Sequence, residues 1–356
     1  MISKDCFTSQ WIDEVSTRLE YKDKSLIEKV VRAFSLLEML VQSGCPLIFK
    51  GGTALMLILG KALHRMSIDI DIICPPGTDI ERYLGNYHEH GFIRYQLVNK
   101  ENAGRNIPVS HSKVFYQITD TDRSDLNEYI RLDVLYEDNP YSTTESIPTE
   151  SPFFTLEGKP LLVTVPTKEG ILGDKLTAFA PNTTGIPYFK GDRNCNMEII
   201  KQLYDINRLF ENVENFTETF ESFKRLSNVE LGYRGLEGLI NEYFEDVRQT
   251  ALCISTRGQA GKGDIDYFLS GIKRVKSFMY KDKYMIENAI KDASRVAYLT
   301  TCFEKGMLHI EKYSGNPEEI AFLKISDNIS SKLRKLKSIS PESYYYWAKT
   351  DELIKG

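Results

Sequence analysis

The sequence predicts an α+β fold: a mixed β-sheet flanked by helices, followed by a mainly α-helical C-terminal half. Three observations carry this reading. Between residues 47 and 137, short apolar runs alternate with glycine-rich or polar breaks, as strands and tight connections do. Within that region the doublet Gly51-Gly52 separates an apolar run from a helix-forming one. From Thr167 onward apolar residues recur at helical spacing, and no convincing run of strands follows. At 356 residues the chain is long for one core, so two domains are expected, 1–165 with a helical segment at its start and 166–356.

In chain order, Leu26, Ile27, Val30, Val31, Phe34, Leu37, Leu40 and Val41 predict a helix over 25–44, stopped by Gly44 and Pro46. A strand at 47–49, a short helix at 53–59 and a strand at 68–74 follow, the last ended by Pro75-Pro76-Gly77. Residues 79–90 read as a further helix. Strands are expected at 92–98, 114–119 and 129–137, with turns at 102–106 and 120–125. Residues 138–152 have loop composition, and 161–165 reads as an edge strand. Helices are then expected at 167–180, 196–210, 216–226, 233–253, 264–278, 285–298 and 317–336, the last capped by Asn316 with Pro317 in its first turn. The glycine-rich stretch 256–263 has Gly263 where a P-loop needs Ser or Thr after Gly-Lys, so it reads as a mobile loop.

Composition narrows the function classes. Hydrophobic residues make up 42% and charged residues 27%, as in ordinary soluble globular proteins. A net charge of −5 argues against coating nucleic acid indiscriminately, so such a substrate would need a local basic patch. Lys273-Arg274-Val275-Lys276 and 332–337 are candidate patches, with the rings of Tyr344-Tyr345-Tyr346-Trp347 near the second in sequence. The six cysteines contain no Cys-x-x-Cys pair, which suits a reducing compartment and implies no zinc site. No signal-like start and no long apolar run are seen, so a cytoplasmic protein without a membrane partner is expected.

The chemistry centres on residues 47–73. Asp69 and Asp71 alternate with Ile68, Ile70 and Ile72, which puts both carboxylates on one strand face and the isoleucines on the other. Two acids aimed one way repel unless a cation lies between them, and hard oxygen ligands suit Mg²⁺. Asp133, in the middle of an apolar strand, is the third carboxylate, better placed than Glu137. Gly51 and Gly52 permit close backbone approach to an anion at the start of a helix, with Ser67 and Arg65 able to join them. Thr53 reads either as a further phosphate ligand or as a helix N-cap. An anion cradle beside a cation site is what a nucleoside triphosphate requires.

Lys50-Gly51-Gly52-Thr53-Ala54-Leu55 followed by Arg65, Ser67, Asp69 and Asp71 resembles the AbiEii/AbiGii toxins of type IV toxin–antitoxin systems, within the polymerase-beta-like nucleotidyltransferase superfamily. The resemblance implies a nucleotidyltransferase-fold domain that moves a nucleoside monophosphate from a nucleoside triphosphate to an acceptor hydroxyl with Mg²⁺. It also implies a separate antitoxin protein and a tRNA 3′ end as acceptor. Lys175 in Gly173-Asp174-Lys175-Leu176 matches a lysine of the family, and Asp205 an aspartate of a later helix; Gln202 stands where the family carries an acid. Lys175 would neutralise charge on the leaving pyrophosphate. Without the family, it reads as a solvated lysine on an amphipathic helix, and Asp205 as the partner of Lys201 one turn away. Arg193 is a further candidate lining the nucleotide cleft. Two other functions remain open: transfer to a small molecule such as an aminoglycoside or to a protein side chain, and an inactive domain acting as a binding module.

Overall fold

Apolar residues at alternate positions of the central strands build a five-stranded sheet whose one face is buried there while the other carries polar residues. Its strands are β1 (Ile48–Lys50), β2 (Ile70–Cys74), β3 (Phe92–Val98), β4 (Val109–Gln117) and β5 (Asn127–Tyr136). Their order is β1-β2-β5-β4-β3, with only the β2–β5 pair parallel, so the sheet is mixed as expected. The structure, a computed structural model, describes residues 1–98, 107–119, 126–281, 283–327 and 329–356. The turns expected at 102–106 and 120–125 lie outside these.

The chain divides into two units, Met1–Thr167 with Ser277–Asp282, and Lys168–Lys276 with Lys283–Gly356. The six-residue return to the first unit is held by backbone: the Met66 N–H donates to the Phe278 carbonyl at 2.8 Å, and the Tyr280 N–H to that of His64 at 3.1 Å. Nothing in the composition of 264–278 signals this return.

In the first unit, α1 (Ser9–Arg18) precedes α2 (Lys24–Gln42). Sequence reading missed α1, although Thr8 caps it by accepting the Trp11 N–H at 3.2 Å. The inner side of α2 is continuous from Leu26 to Leu40 and packs on β2 and β5, against Ile70, Ile72, Leu132 and Val134. α3 (Gly51–Ile58) begins at the glycines themselves, two residues earlier than expected. Residues 79–90 form two 3₁₀ turns, Ile80–Tyr83 and Tyr87–His90, in place of a helix. Within the expected loop lies β6 (Thr144–Pro148), which pairs antiparallel with β7 (Leu162–Pro166) in a separate two-stranded sheet. β7 packs beside β1.

The second unit is helical, as expected: α4 (Lys168–Ala178), α5 (Asn196–Asn212), α6 (Phe216–Gly232), α7 (Ile240–Ser255), α8 (Ile265–Val275), α9 (Ile286–Glu304), the short α10 (Leu336–Ile339) and α11 (Pro341–Lys355). A hairpin of β8 (Phe189–Lys190) and β9 (Arg193–Asn194) precedes α5. Central α9 packs on α7, α11 and α5.

The helix expected at 317–336 is corrected to 3₁₀ turns at Pro317–Ile320 and Ser331–Lys335 that lead into α10. Between them the Ser326 N–H and hydroxyl donate to Asp351, and Phe322 is 93% exposed, so the chain there follows side-chain partners in place of a helical ladder. The rings of Tyr344, Tyr345, Tyr346 and Trp347, offered as a stacking surface, are buried within α11. A run that is apolar all round marks a helix inside a core. The stretch 256–263 is a largely exposed, hydrogen-bonded turn: the Ala260 N–H donates to Thr256 Oγ1 at 3.0 Å and the Lys262 N–H to the Gln249 carbonyl at 3.1 Å. Among the described residues, no helix is long and apolar enough to cross a membrane.

Candidate active site

The register of the central strands decides which side chains meet. Asp71 lies directly beside Asp133 across the parallel β2–β5 pair, and His111 lies beside Asp133 across the antiparallel β4–β5 pair. Adjacent strands are about 4.8 Å apart, so these three side chains form one row on the face away from α2. Asp69 precedes β2 by one residue and Arg131 precedes Asp133 by two, so they occupy the next row.

Arg131 ties the rows together. Its Nη2 donates to Asp69 Oδ2 at 2.6 Å, and its Nε lies 3.2 Å from Asp133 Oδ2. Burial alone would lower its pKa, but Asp69, then Asp133 and Asp71, hold it above its ordinary value. Three carboxylates thus converge on one cationic group. His111 Nδ1 completes the surroundings of Asp133 at 2.8 Å from Oδ1. Asp69 keeps 38% of its side chain exposed and Asp133 19%, so the cluster opens to solvent.

On the β1 side, the glycines are required by contact. Gly51 has φ +80°, a region that L side chains avoid, and a Cβ there would stand 2.2 Å from Asp71 Oδ2. A Cβ on Gly52 would meet Arg65 Nη2 and Ser67 Oγ, both at 2.8 Å. The first turn of α3 is therefore pressed against Asp71, Arg65 and Ser67. Arg65 is 2% exposed, and its Nη1 donates to the Met66 carbonyl at 3.0 Å. Thr53 is not the N-cap of this helix, because Lys50 holds that position. The Thr53 hydroxyl donates to the Asp69 carbonyl at 2.6 Å and pins the segment that carries the acids.

The structure thus brings together Gly51, Gly52, Thr53, Arg65, Ser67, Asp69, Asp71 and Asp133 in the first unit. Sequence reading missed Arg131 and His111. Strand alternation around Asp133 already assigns Arg131 to the acid face, and that signal was available. His111 gave none, because strand β4 was expected to begin at 114.

Lys175 and Asp205 meet within the second unit, where Lys175 Nζ lies 3.1 Å from Asp205 Oδ2 and donates to Gln202 Oε1 at 3.0 Å. Asp205 is fully buried and Lys175 is 7% exposed, so Lys175 is no solvated surface lysine. Gln202 accepts from the ammonium as a neutral partner. Arg193, on β9, is exposed and pairs with Glu198 at 3.1 Å.

Nucleoside triphosphates arrive with a divalent ion, which hard oxygen donors suit. Among the described residues, no group of three His, Cys, Asp or Glu side chains forms a ready-made metal cage. Mg²⁺ is commonly bound through one or two carboxylates plus substrate phosphates. Hard oxygen donors that are partly exposed and already gathered around a cation fit an ion that arrives with phosphates.

A model of the family described as "Nucleotidyl transferase AbiEii toxin, Type IV TA system" matches residues 35–262. No curated protein matches the chain. Among solved structures, it is similar to JHP933 from Helicobacter pylori (18% identity, 79% of this chain and 94% of the other, TM-score 0.40). It is also similar to the nucleotidyltransferase toxin MenT4 from Mycobacterium tuberculosis (13% identity, 82% and 89%, TM-score 0.47). With the family model spanning most of the chain, the protein belongs to the AbiEii family of nucleotidyltransferase toxins of type IV toxin–antitoxin systems.

Proposed function

We propose that this nucleotidyltransferase moves a nucleoside monophosphate from a nucleoside triphosphate to the 3′-terminal hydroxyl of an RNA, with tRNA as the favoured acceptor, and that Mg²⁺ is its metal. The observation that carries the reading is the convergence of Asp69, Asp71 and Asp133 on one cationic position beside the Gly51-Gly52 turn. When bound by Asp69 and Asp71, with Asp133 completing the set, Mg²⁺ would neutralise charge on the phosphates and polarise the reacting oxygens.

The residues of the chain then have distinct tasks. The backbone of Gly51 and Gly52, with Ser67 and Arg65, grips the triphosphate without a side chain in the way. The acceptor oxygen forms its bond to the α-phosphorus as the bond to the bridging oxygen breaks. Pyrophosphate leaves with that electron pair, and the hydroxyl proton passes to the Asp133 carboxylate. His111 and Arg131 fix the orientation of Asp133. Lys175, held by Asp205, is assigned to charge neutralisation on the leaving group, and Arg193 to the nucleotide. A separate antitoxin protein would restrain this activity in a reducing cytoplasm.

The test incubates the protein with Mg²⁺, labelled nucleoside triphosphates and total RNA, with parallel aminoglycoside and protein acceptors. Label in RNA that is lost with Asp69→Ala is the expected result. Label only in a small molecule or protein would discard the RNA acceptor, and Mg²⁺-independent transfer would discard the metal assignment.

A further inference from the structure

The face that holds the acids continues beyond them over β4 and β3, and its character changes there. Register places Lys113 beside Arg131, Phe115 beside Tyr129, and Arg94 beside Phe115. The Arg94 guanidinium sits 3.5 Å from the centroid of the Phe115 ring, and Lys113 Nζ lies 4.4 Å from that of Tyr129. The two rings stand 5.6 Å apart, and Tyr129 is 39% exposed. Among the described residues, neither Arg94 nor Lys113 has a carboxylate within ion-pair distance. Cation–ring pairs alone are an ordinary surface device. Here two cations without acids and two neighbouring rings share one face with a phosphoryl-transfer centre.

We infer that Phe115, Tyr129, Arg94 and Lys113 form the docking platform for the unpaired 3′ end of the nucleic-acid acceptor. The inference rests on the reading above and assigns the acceptor side of that same site. Direction supplies the argument. Attacking and leaving oxygens lie roughly in line on opposite sides of the transferred phosphorus. The phosphate-gripping glycines lie at the β1 edge, and the acids on β2 and β5. The acceptor therefore enters from the β4–β3 side, and Phe115 lies one strand spacing across and four residues along from Asp133, about 14 Å, the reach of a couple of nucleotides. Rings accept the face of any base, while Lys113 and Arg94 supply the phosphate charge. The occupant is single-stranded, because bases inside a duplex are stacked on both faces and leave none for the rings.

The experiment titrates a short 5′-labelled single-stranded RNA with a free 3′ hydroxyl into the full chain, read by fluorescence anisotropy. Nucleoside triphosphate binding with Mg²⁺ is measured separately by calorimetry. Phe115→Leu and Tyr129→Leu keep apolar bulk and should each weaken RNA binding about tenfold. Lys113→Ala and Arg94→Ala should each lower the salt slope by about one. In all four, triphosphate affinity and the thermal midpoint should stay at wild-type values, and a blunt duplex should compete poorly.

Unchanged RNA affinity in a folded Phe115→Leu/Tyr129→Leu double variant would overturn the platform while leaving RNA transfer intact. Triphosphate affinity falling in parallel would move the rings to the donor base and also overturn it. Wild-type protein that labels no RNA would remove the underlying reading, and the platform with it.

Discussion

Two acid–base clusters in this chain use the same chemistry in opposite solvents. In the first unit, Arg131 is shared by carboxylates that remain partly exposed to solvent. In the second, Lys175 and Asp205 form a pair sealed from water on the carboxylate side, with Gln202 Oε1 accepting a further hydrogen bond from the ammonium. The difference separates an exchangeable arrangement from a fixed one. An exposed ion pair contributes little net stability, so its cation can be replaced by another at small cost. A buried pair loses heavily when one partner goes, because the remaining charge has already surrendered its water.

The largest expected effect therefore lies in the buried pair. Lys175→Met should destabilise the protein by about 3–5 kcal/mol in urea unfolding. Lys175→Met/Asp205→Leu should recover much of that loss, because no charge is then left behind. A single variant as stable as wild type would mean that the pair is held by something other than mutual neutralisation. In the open cluster the effect should fall on catalysis. Asp71→Asn should reduce nucleotidyl transfer about a hundredfold or more, with a stability change below about 1 kcal/mol. A variant that unfolds as easily as Lys175→Met would erase the distinction between the two clusters.

This contrast also marks what the sequence could reveal. Asp69, Asp71 and the glycines were legible because strand alternation and the chemistry of glycine are local, so neighbours in sequence share a face. Asp133 was legible as a lone acid in an apolar strand. Arg131 obeys the same alternation, but a single cation on an acid face carries no signal of its own that separates a site from an ordinary ion pair. The Lys175–Asp205 contact joins α4 to α5, and no local pattern encodes such a distance. The amphipathic spacing around Lys175 even suggested a solvated side chain, since periodicity does not report what a neighbouring helix covers. The helices expected at 196–210 and 285–298 announce themselves by period, whereas α11 does not, because Tyr344 to Trp347 bury their whole circumference.

Removing the shared cation should sharpen the comparison at intermediate size. Arg131→Gln leaves three carboxylates facing one another, which should lower stability without metal by about 1 kcal/mol. Saturating Mg²⁺ should restore it by mass action, so the thermal midpoint of the variant should rise more on adding Mg²⁺ than that of wild type. Equal responses would mean that Arg131 and the metal do not contend for the same carboxylates.

A third carboxylate, in the second unit, tests the smallest effect. Asp292 is buried on α9 and accepts a hydrogen bond from the Tyr284 hydroxyl at 2.7 Å, a phenol where Asp205 has an ammonium. Burial pushes its pKa up from 3.8 to about 7, with Tyr284 and Arg295 opposing. The sign follows from linkage. With the folded value above the unfolded one, the native state holds the proton more tightly, so the contribution is fully present below about pH 4 and is lost as pH rises through about 7. Asp292→Asn keeps a neutral side chain of the same shape at every pH. Its thermal midpoint should match wild type in acid and exceed it by a few degrees at pH 8. Parallel curves across that window would show that Asp292 stays ionised in the core. An ammonium would then be unnecessary for burying a carboxylate in this unit, and the strong penalty expected for Lys175→Met would lose its physical basis.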